Sequence, residues 1–177
     1  ISLDSRHMEG KDLFVPIAGE KVDSHRFICQ ALTLGAAAVL TNVHRSSQDV
    51  REELERFKRS GGDAQAIWDR GWIEVEDTRS ALQALGAWRR RQISIPIIGV
   101  TGSVGKTTTR EMIAQALSAG LRVFRTPGNS NSQVGVPITI CSVPDDAQAA
   151  VIELGMSEPG EMERIARVAQ VDCGVVI

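Results

Sequence analysis

No apolar run in the 177 residues approaches the length of a membrane span, and the opening Ile-Ser-Leu-Asp-Ser-Arg is not a signal peptide. An excess of one charge is also missing. Twenty Lys and Arg stand against 22 Asp and Glu, a formal net charge of −2, which gives no electrostatic case for nucleic acid or an anionic membrane. Cysteine is scarce. Cys29, Cys141 and Cys173 are far apart, odd in number and each in apolar company, so they read as buried thiols kept reduced in a cytoplasm. The same spacing speaks against a zinc site, because His7, His25 and His44 do not cluster with them. No internal repeat or low-complexity segment stands out. There is no initiator Met and the sequence stops on an apolar strand, so the expectation is a piece of a longer protein.

What is present is alternation of strand and helix patterns. Residues 13–17 are a short apolar strand with Pro16 near its end. Asp23 or Ser24 caps a helix in which Phe27, Ile28, Ala31 and Leu32 recur at helical spacing; Gly35 ends it, and residues 36–41 form a second strand. Residues 42–48 read as polar loop and 49–60 as a charged, solvated helix with Val50, Leu54 and Phe57 as its apolar stripe. Trp68 and Trp72 read as core or rim packing. A strand over 72–76 leads to a helix over 79–91, capped by Asp77 or Thr78, with Ala81, Leu82, Leu85 and Trp88 on its apolar face. Arg89, Arg90 and Arg91 at its end compensate the helix dipole and aid solubility. Further on, a helix over 107–119 buries Met112, Ile113, Ala116 and Leu117. Strands follow over 121–126, 149–154 and 173–177, with a helix over 160–169 opened by Pro159. Residues 134–140 are apolar, with Gly135 and Pro137. The pattern predicts an α/β fold with a mostly parallel sheet. We expect a small N-terminal α/β domain over residues 1–93 and the first part of a nucleotide-binding domain over 94–177.

The chemistry centres on residues 95–112, an apolar strand, a tight glycine loop and a helix. Gly102 and Gly105 let the backbone approach a polyphosphate, and the amides at the helix start favour anionic oxygens. Lys106 would reach the outer phosphates and the Thr107 hydroxyl would sit on Mg²⁺. The loop departs from the strict Gly-x-x-x-x-Gly-Lys-[Ser/Thr] pattern, since position 100 is Val100 and Gly99 comes one residue early. Glu153 is a lone acid near the end of a buried-type strand. Isolated in a buried strand, such a carboxylate must be paired or bound to a cation, and beside the loop it could complete a Mg²⁺ shell with Thr107; the alternative is a strand-end acid that is simply solvated or paired with an arginine. Asn129 and Asn131, on a polar glycine loop, either hold a substrate near the γ-phosphate or form turns of their own.

Residues 99–109 (Gly-Val-Thr-Gly-Ser-Val-Gly-Lys-Thr-Thr-Thr) resemble the ATP loop of the Mur ligases, whose shared Gly-x-Thr-Gly-x-x-Gly-Lys-[Ser/Thr] accommodates the spacing. Residues 128–139 (Gly-Asn-Ser-Asn-Ser-Gln-Val-Gly-Val-Pro-Ile-Thr) and 151–161, with Glu-Leu-Gly, resemble the MurF branch of that family. So do Asp4-Ser5-Arg6, 10–14, Gly19-Glu20 and 35–39 in the amino-terminal part. The MurE branch carries Thr-Thr-Pro where this chain has Gly128-Asn129. The resemblance implies a cytoplasmic, monomeric, ATP- and Mg²⁺-dependent amide ligase of peptidoglycan precursor synthesis. Its substrates would be UDP-N-acetylmuramoyl-tripeptide and D-alanyl-D-alanine, joined through an acyl phosphate. Gly102, Ser103, Val104, Gly105, Lys106, Thr107 and Thr108 would bind ATP. Lys106, Asn129 and Glu153 would be catalytic, and Thr107 and Glu153 would hold the metal. Ser5, Arg6, Asn129 and Asn131 would meet the substrate. The chain departs from the family at Val104, where Asn is usual, at Ser132, where a second adjacent Asn is common, and in a longer 42–70 segment. A fragment of this kind would not turn over alone. The alternatives are a related ligase, such as MurE, or a non-catalytic nucleotide- or UDP-sugar-binding module.

Overall fold

A computed structural model describes residues 1–177 except 20–21, 43–46, 64–66 and 68–69, and leaves out the side chains of 47–51. Two compact units, Ile1–Ala81 and Leu82–Ile177, divide inside a helix. In the first, strands β1 (Leu13–Phe14), β2 (Ala38–Asn42) and β3 (Gly71–Val75) form a parallel sheet in that order. β1 is shorter than the expected 13–17 because Pro16, two residues on, has no N–H to give a ladder. The Asp23 carboxylate caps the next helical turn by accepting from the His25 amide; that turn, Ser24–Phe27, is 3₁₀ and continues as α1 (Ile28–Thr33). α2 (Ser47–Arg59) starts two residues earlier than its sequence pattern suggests. Phe14, Ile28, Ala31, Leu32, Val39, Leu54 and Ile67 make the core, with Phe57 and Trp72 packed against it. Residues 43–46, Trp68 and the side chain of Val50 lie outside the described residues.

Helix α3 (Thr78–Arg90) is started by Asp77, whose carboxylate accepts from the Ser80 amide at 2.7 Å. Thr78, buried, donates its hydroxyl to the Pro16 carbonyl at 2.6 Å within the first unit. Two expectations for this helix are corrected. Trp88 is 53% exposed, and Arg90 is a buried connector instead of a solubilising charge. Its guanidinium donates to the carbonyls of Ile93, Ala169 and Gln170 and to Asp172. It satisfies acceptors that a chain leaving a helix and entering a strand leaves open.

The second unit is a parallel sheet of four strands: β4 (Ile97–Thr101), β5 (Val123–Arg125), β6 (Ala149–Glu153) and β7 (Cys173–Val176), in spatial order β5-β6-β4-β7. Three helices connect them: α4 (Lys106–Leu117), α5 (Gly135–Cys141) and α6 (Glu161–Ala169). Side chains alternate across a strand, and the cores follow that rule. Ile97, Ala150, Ile152 and Leu154 pack with Val136 and Ile140 of α5 and Ile165 and Ala169 of α6. Val100 and Val151 pack on the opposite face with Ala114, Ile113 and Leu117 of α4. Every residue of β6 is buried. The buried side of α4 is therefore Arg110 and Ala114, with Ile113 and Leu117 beside them; Met112, expected inside, is 67% exposed, and Ala116 is exposed too. The 134–140 stretch becomes α5, whose β-branched residues look strand-like but whose Pro137 sits in the first turn, where no N–H is needed. Only Cys29 is buried; Cys141 is half-buried, Cys173 is exposed, and none forms a disulfide. Among the described residues no helix is long and apolar enough to cross a membrane.

Candidate functional site

The site lies where the carboxyl ends of β4 and β6 adjoin, the usual place for ligands in a parallel sheet. Val100 is in register with Glu153, so the acid stands beside the last residues before the glycine loop. Gly105 takes φ +88° as the residue before α4, a conformation that costs a side-chain-bearing residue dearly. No side chain caps α4. Its first amides are left for an external acceptor, and the dipole favours an anion there. Lys106 Nζ folds back onto the loop, donating to the Gly102 carbonyl at 2.7 Å and the Ser103 carbonyl at 3.4 Å. Ser103, Val104, Thr107 and Thr108 are exposed at the same end, with Val104 84% exposed.

Glu153 is 2% exposed, yet surrounded by donors. Thr107 Oγ1 donates to its Oε2 at 3.0 Å and Asn131 Nδ2 to its Oε1 at 2.7 Å. Arg110 Nη1 approaches Oε2 at 3.3 Å. The Glu153 amide donates to Thr126 Oγ1 at 2.9 Å, tying β6 to the end of β5. Of the two fates open to a strand-end acid, solvation is excluded by its burial. It is instead paired to an arginine while keeping contact with Thr107. The Asn131 side chain is admitted because residue 155 is glycine; a Cβ there would lie 2.9 Å from Asn131 Cγ. The Gly155 amide also donates to the Asn131 carbonyl at 2.8 Å. The loop after β6 is held by Glu161, which accepts from the amides of Ser157 and Glu158 and from Gln133 Nε2. These donors, the Ser157 amide first, pull its carboxyl below the usual range.

The structure thus brings Thr107 and Asn131 each into contact with Glu153, with Lys106 on the adjoining loop. Asn129 stands exposed on the same turn as Asn131, its carbonyl accepting the Asn131 amide at 2.8 Å. Ser5 and Arg6 belong to the first unit. Ser5 is buried and donates to Gln30 Oε1 at 3.1 Å, while Arg6 is exposed and doubly bonded to Asp4. That bond from the Arg6 side chain lowers the Asp4 carboxyl far below its ordinary value. Arg110 and Thr126 escaped the sequence reading. The signal for Arg110 was its place three residues after Thr107, hence on the same helix face.

Two family profiles match. One described as "Mur ligase family, catalytic domain" covers residues 1–90, and one described as "Mur ligase middle domain" covers 100–177. The chain belongs to the Mur ligase family. Among curated proteins, this Mur ligase chain is 37% identical over 176 residues to the UDP-N-acetylmuramoyl-tripeptide--D-alanyl-D-alanine ligase of Bacillus subtilis (strain 168), covering 99% of this chain and 35% of the relative. It is 39% identical to the ligase of the same name from Synechocystis sp., with the same coverage of both. Among solved structures it is similar to MurF from Acinetobacter baumannii, with a TM-score of 0.78 and 31% identity, over 98% of this chain and 34% of that one. MurF ligase from Thermotoga maritima in complex with ADP gives a TM-score of 0.73 and 29% identity, over 95% of this chain and 34% of that one. The chain spans about a third of the length of the relatives it matches.

Proposed function

We propose that the protein to which this chain belongs is an ATP-dependent amide ligase of peptidoglycan precursor synthesis, joining D-alanyl-D-alanine to UDP-N-acetylmuramoyl-tripeptide in the cytoplasm as a monomer. The observation that carries the reading is the Thr107–Glu153 contact at the foot of an uncapped helix behind a glycine loop. The names of the similar ligases and the ADP in the Thermotoga maritima structure support it.

ATP and Mg²⁺ fit the residues present. The loop 102–108 offers amides and a lysine for phosphate oxygens. Thr107 and Glu153 are both oxygen donors, the set a hard cation prefers. Among the described residues no group of three His, Cys, Asp or Glu gathers as a self-sufficient metal centre. A Mg²⁺ here would share its shell with phosphate and water, its usual mode. Bound MgATP would supply the phosphoryl group that turns the peptide carboxylate into an acyl phosphate, which the dipeptide amine then attacks. Lys106 would leave the Gly102 carbonyl for the γ-phosphate and neutralise charge as it develops. Asn129, exposed on its turn, and Asn131 would hold the acceptor end in line. The first unit, with Ser5 and Arg6, would take the UDP-sugar.

The test uses the full-length gene product with MgATP, UDP-N-acetylmuramoyl-tripeptide and D-alanyl-D-alanine, following phosphate release and product mass together. Release that needs all three substrates, with the pentapeptide mass appearing and Lys106→Ala abolishing both, is expected. Tight UDP-peptide binding, undiminished in Lys106→Ala and without product, would replace this reading by the binding-module one.

A further inference from the structure

Arg110 is 4% exposed, and a guanidinium buried to that extent needs partners for its five N–H groups. Nε and Nη2 both reach Glu111 Oε1, at 3.1 and 2.6 Å. Nη1 donates to the Gly128 carbonyl at 2.7 Å as well as to Glu153 Oε2 at 3.3 Å. Glu111 is held from its other oxygen by Arg125 Nε at 3.1 Å. Arg110 is thereby locked from one side by Glu111, and spans from the helix to two points of the site on the other. A ring closes through it. Arg110 holds the Gly128 carbonyl, the chain runs on to Asn131, Asn131 holds Glu153 Oε1 at 2.7 Å, and Glu153 Oε2 returns to Arg110. A donor on each oxygen fixes the plane of the carboxylate, with Thr107 Oγ1 3.0 Å from Oε2.

We infer that Arg110 is a positioning residue for metal-dependent nucleotide binding, holding the Glu153 carboxylate and the Gly128 turn in the single arrangement that a divalent cation on Thr107 and Glu153 requires. The inference rests on the proposed metal role of those two residues. Mg²⁺ demands near-ideal octahedral geometry, so a carboxylate free to rotate ligates it less well. Groups that orient a metal ligand commonly change metal affinity about 10–100-fold when lost. Arg110 shares Glu111 with Arg125 and meets Glu153 at the longer distance of 3.3 Å, so two cations and two carboxylates form one chain of charges in which Arg110 is the member that reaches the site.

The experiment measures ADP binding to the full-length protein by titration calorimetry, with and without Mg²⁺. The readout is the ratio of the metal-free to the metal-bound Kd, which a loss of general stability does not move selectively. Arg110→Gln should lower this ratio by about tenfold or more while the metal-free Kd stays within about twofold. Arg125→Gln removes a cation from the same chain of charges without touching Glu153, and should leave the ratio within about threefold of the parent. A fall of less than about threefold in Arg110→Gln, a rise, or an equal loss with and without metal would overturn the inference. If Arg110→Gln does not fold, Arg110→Lys, which keeps the charge but loses the fork, decides by the same threshold of about threefold. A parent protein that bound ADP with no metal effect would remove the metal reading and this inference with it.

Discussion

Gly86 lies in the interior of α3, where alanine is worth about 1 kcal/mol more than glycine in helix propensity. Propensity alone therefore makes Gly86→Ala a stabilising change. Packing says the opposite. A Cβ at this position would lie 2.8 Å from both Cα and Cβ of Pro137, at the start of α5, and 3.0 Å from Val168 Cγ1 in α6. Val168 can turn aside, but Pro137 Cα is backbone and moves only with its helix. Overpacking in a closed core costs about 1–3 kcal/mol, and a contact this short against backbone belongs at the upper end. The net expectation is a loss of about 2 kcal/mol in the second unit, the difference of those two effects. Pulsed hydrogen exchange at increasing urea, read on peptides from α5 and α6, reports that unit separately from the first. Gly120→Ala, with nothing within 4 Å of the new Cβ, is the control and should be nearly silent. A Gly86→Ala chain more stable than its parent would refute the argument, because it would mean that α5 yields more cheaply than the helix gains.

Three further outcomes are expected. Thr78→Val removes the hydroxyl that donates to the Pro16 carbonyl and leaves a buried acceptor unmet; urea unfolding of the first unit should show a loss of about 1–3 kcal/mol. The bonds from Ser80 hold the Asp77 carboxyl below its ordinary value, so its contribution is complete above the unfolded pKa of about 3.9 and fades as pH falls through the lower folded value. Asp77→Asn should accordingly flatten the stability-against-pH curve below about pH 4, and an unchanged slope there would count against the cap. Val104→Asn, at an 84% exposed position, should alter stability by less than about 0.5 kcal/mol. In full-length protein it should tighten MgATP binding, checked by calorimetry.

Local signals carried much of this. The strand, glycine loop and helix from Ile97 to Leu117 were legible because a β-type apolar run, two glycines and a helical period follow in order. The caps at Asp23 and Asp77 were legible for the same reason. Glu153 could be singled out because an acid inside Ala-Ala-Val-Ile has no local reason to be there. What failed depended on tertiary partners. Residues 134–140 read only as apolar, and the structure makes 135–141 a helix whose Val136 and Ile140 pack with Ile165 and with Ala150 and Ile152 of β6. Met112 and Trp88 fit an apolar period, yet the sheet and neighbouring helices cover a different arc of each helix. Arg90 reads as a surface charge and Arg110 is passed over, since their partners, Asp172 and Gly128, are 82 and 18 residues away. Ser5 and Arg6 are singled out by resemblance alone, and nothing local in the chain says that Ser5 turns inward to Gln30.

The strand order of the second unit also bears on how the chain is made. Among the described residues β4 pairs with β6 and β7 alone, and both come later: Ile97 meets Ala150, and Ile98 meets Cys173. At synthesis rates of about 5–20 residues per second, β4 leaves the ribosome roughly 3–10 s before its first neighbour exists. During that time its apolar residues have no sheet to join, and an unpaired strand of this kind invites chaperone capture or association with another nascent chain. The glycine loop inherits the delay, because its shape depends on the end of β4 being fixed. The nucleotide proposed for this loop would therefore act as a late lock on an assembled sheet, with no means of guiding its first steps.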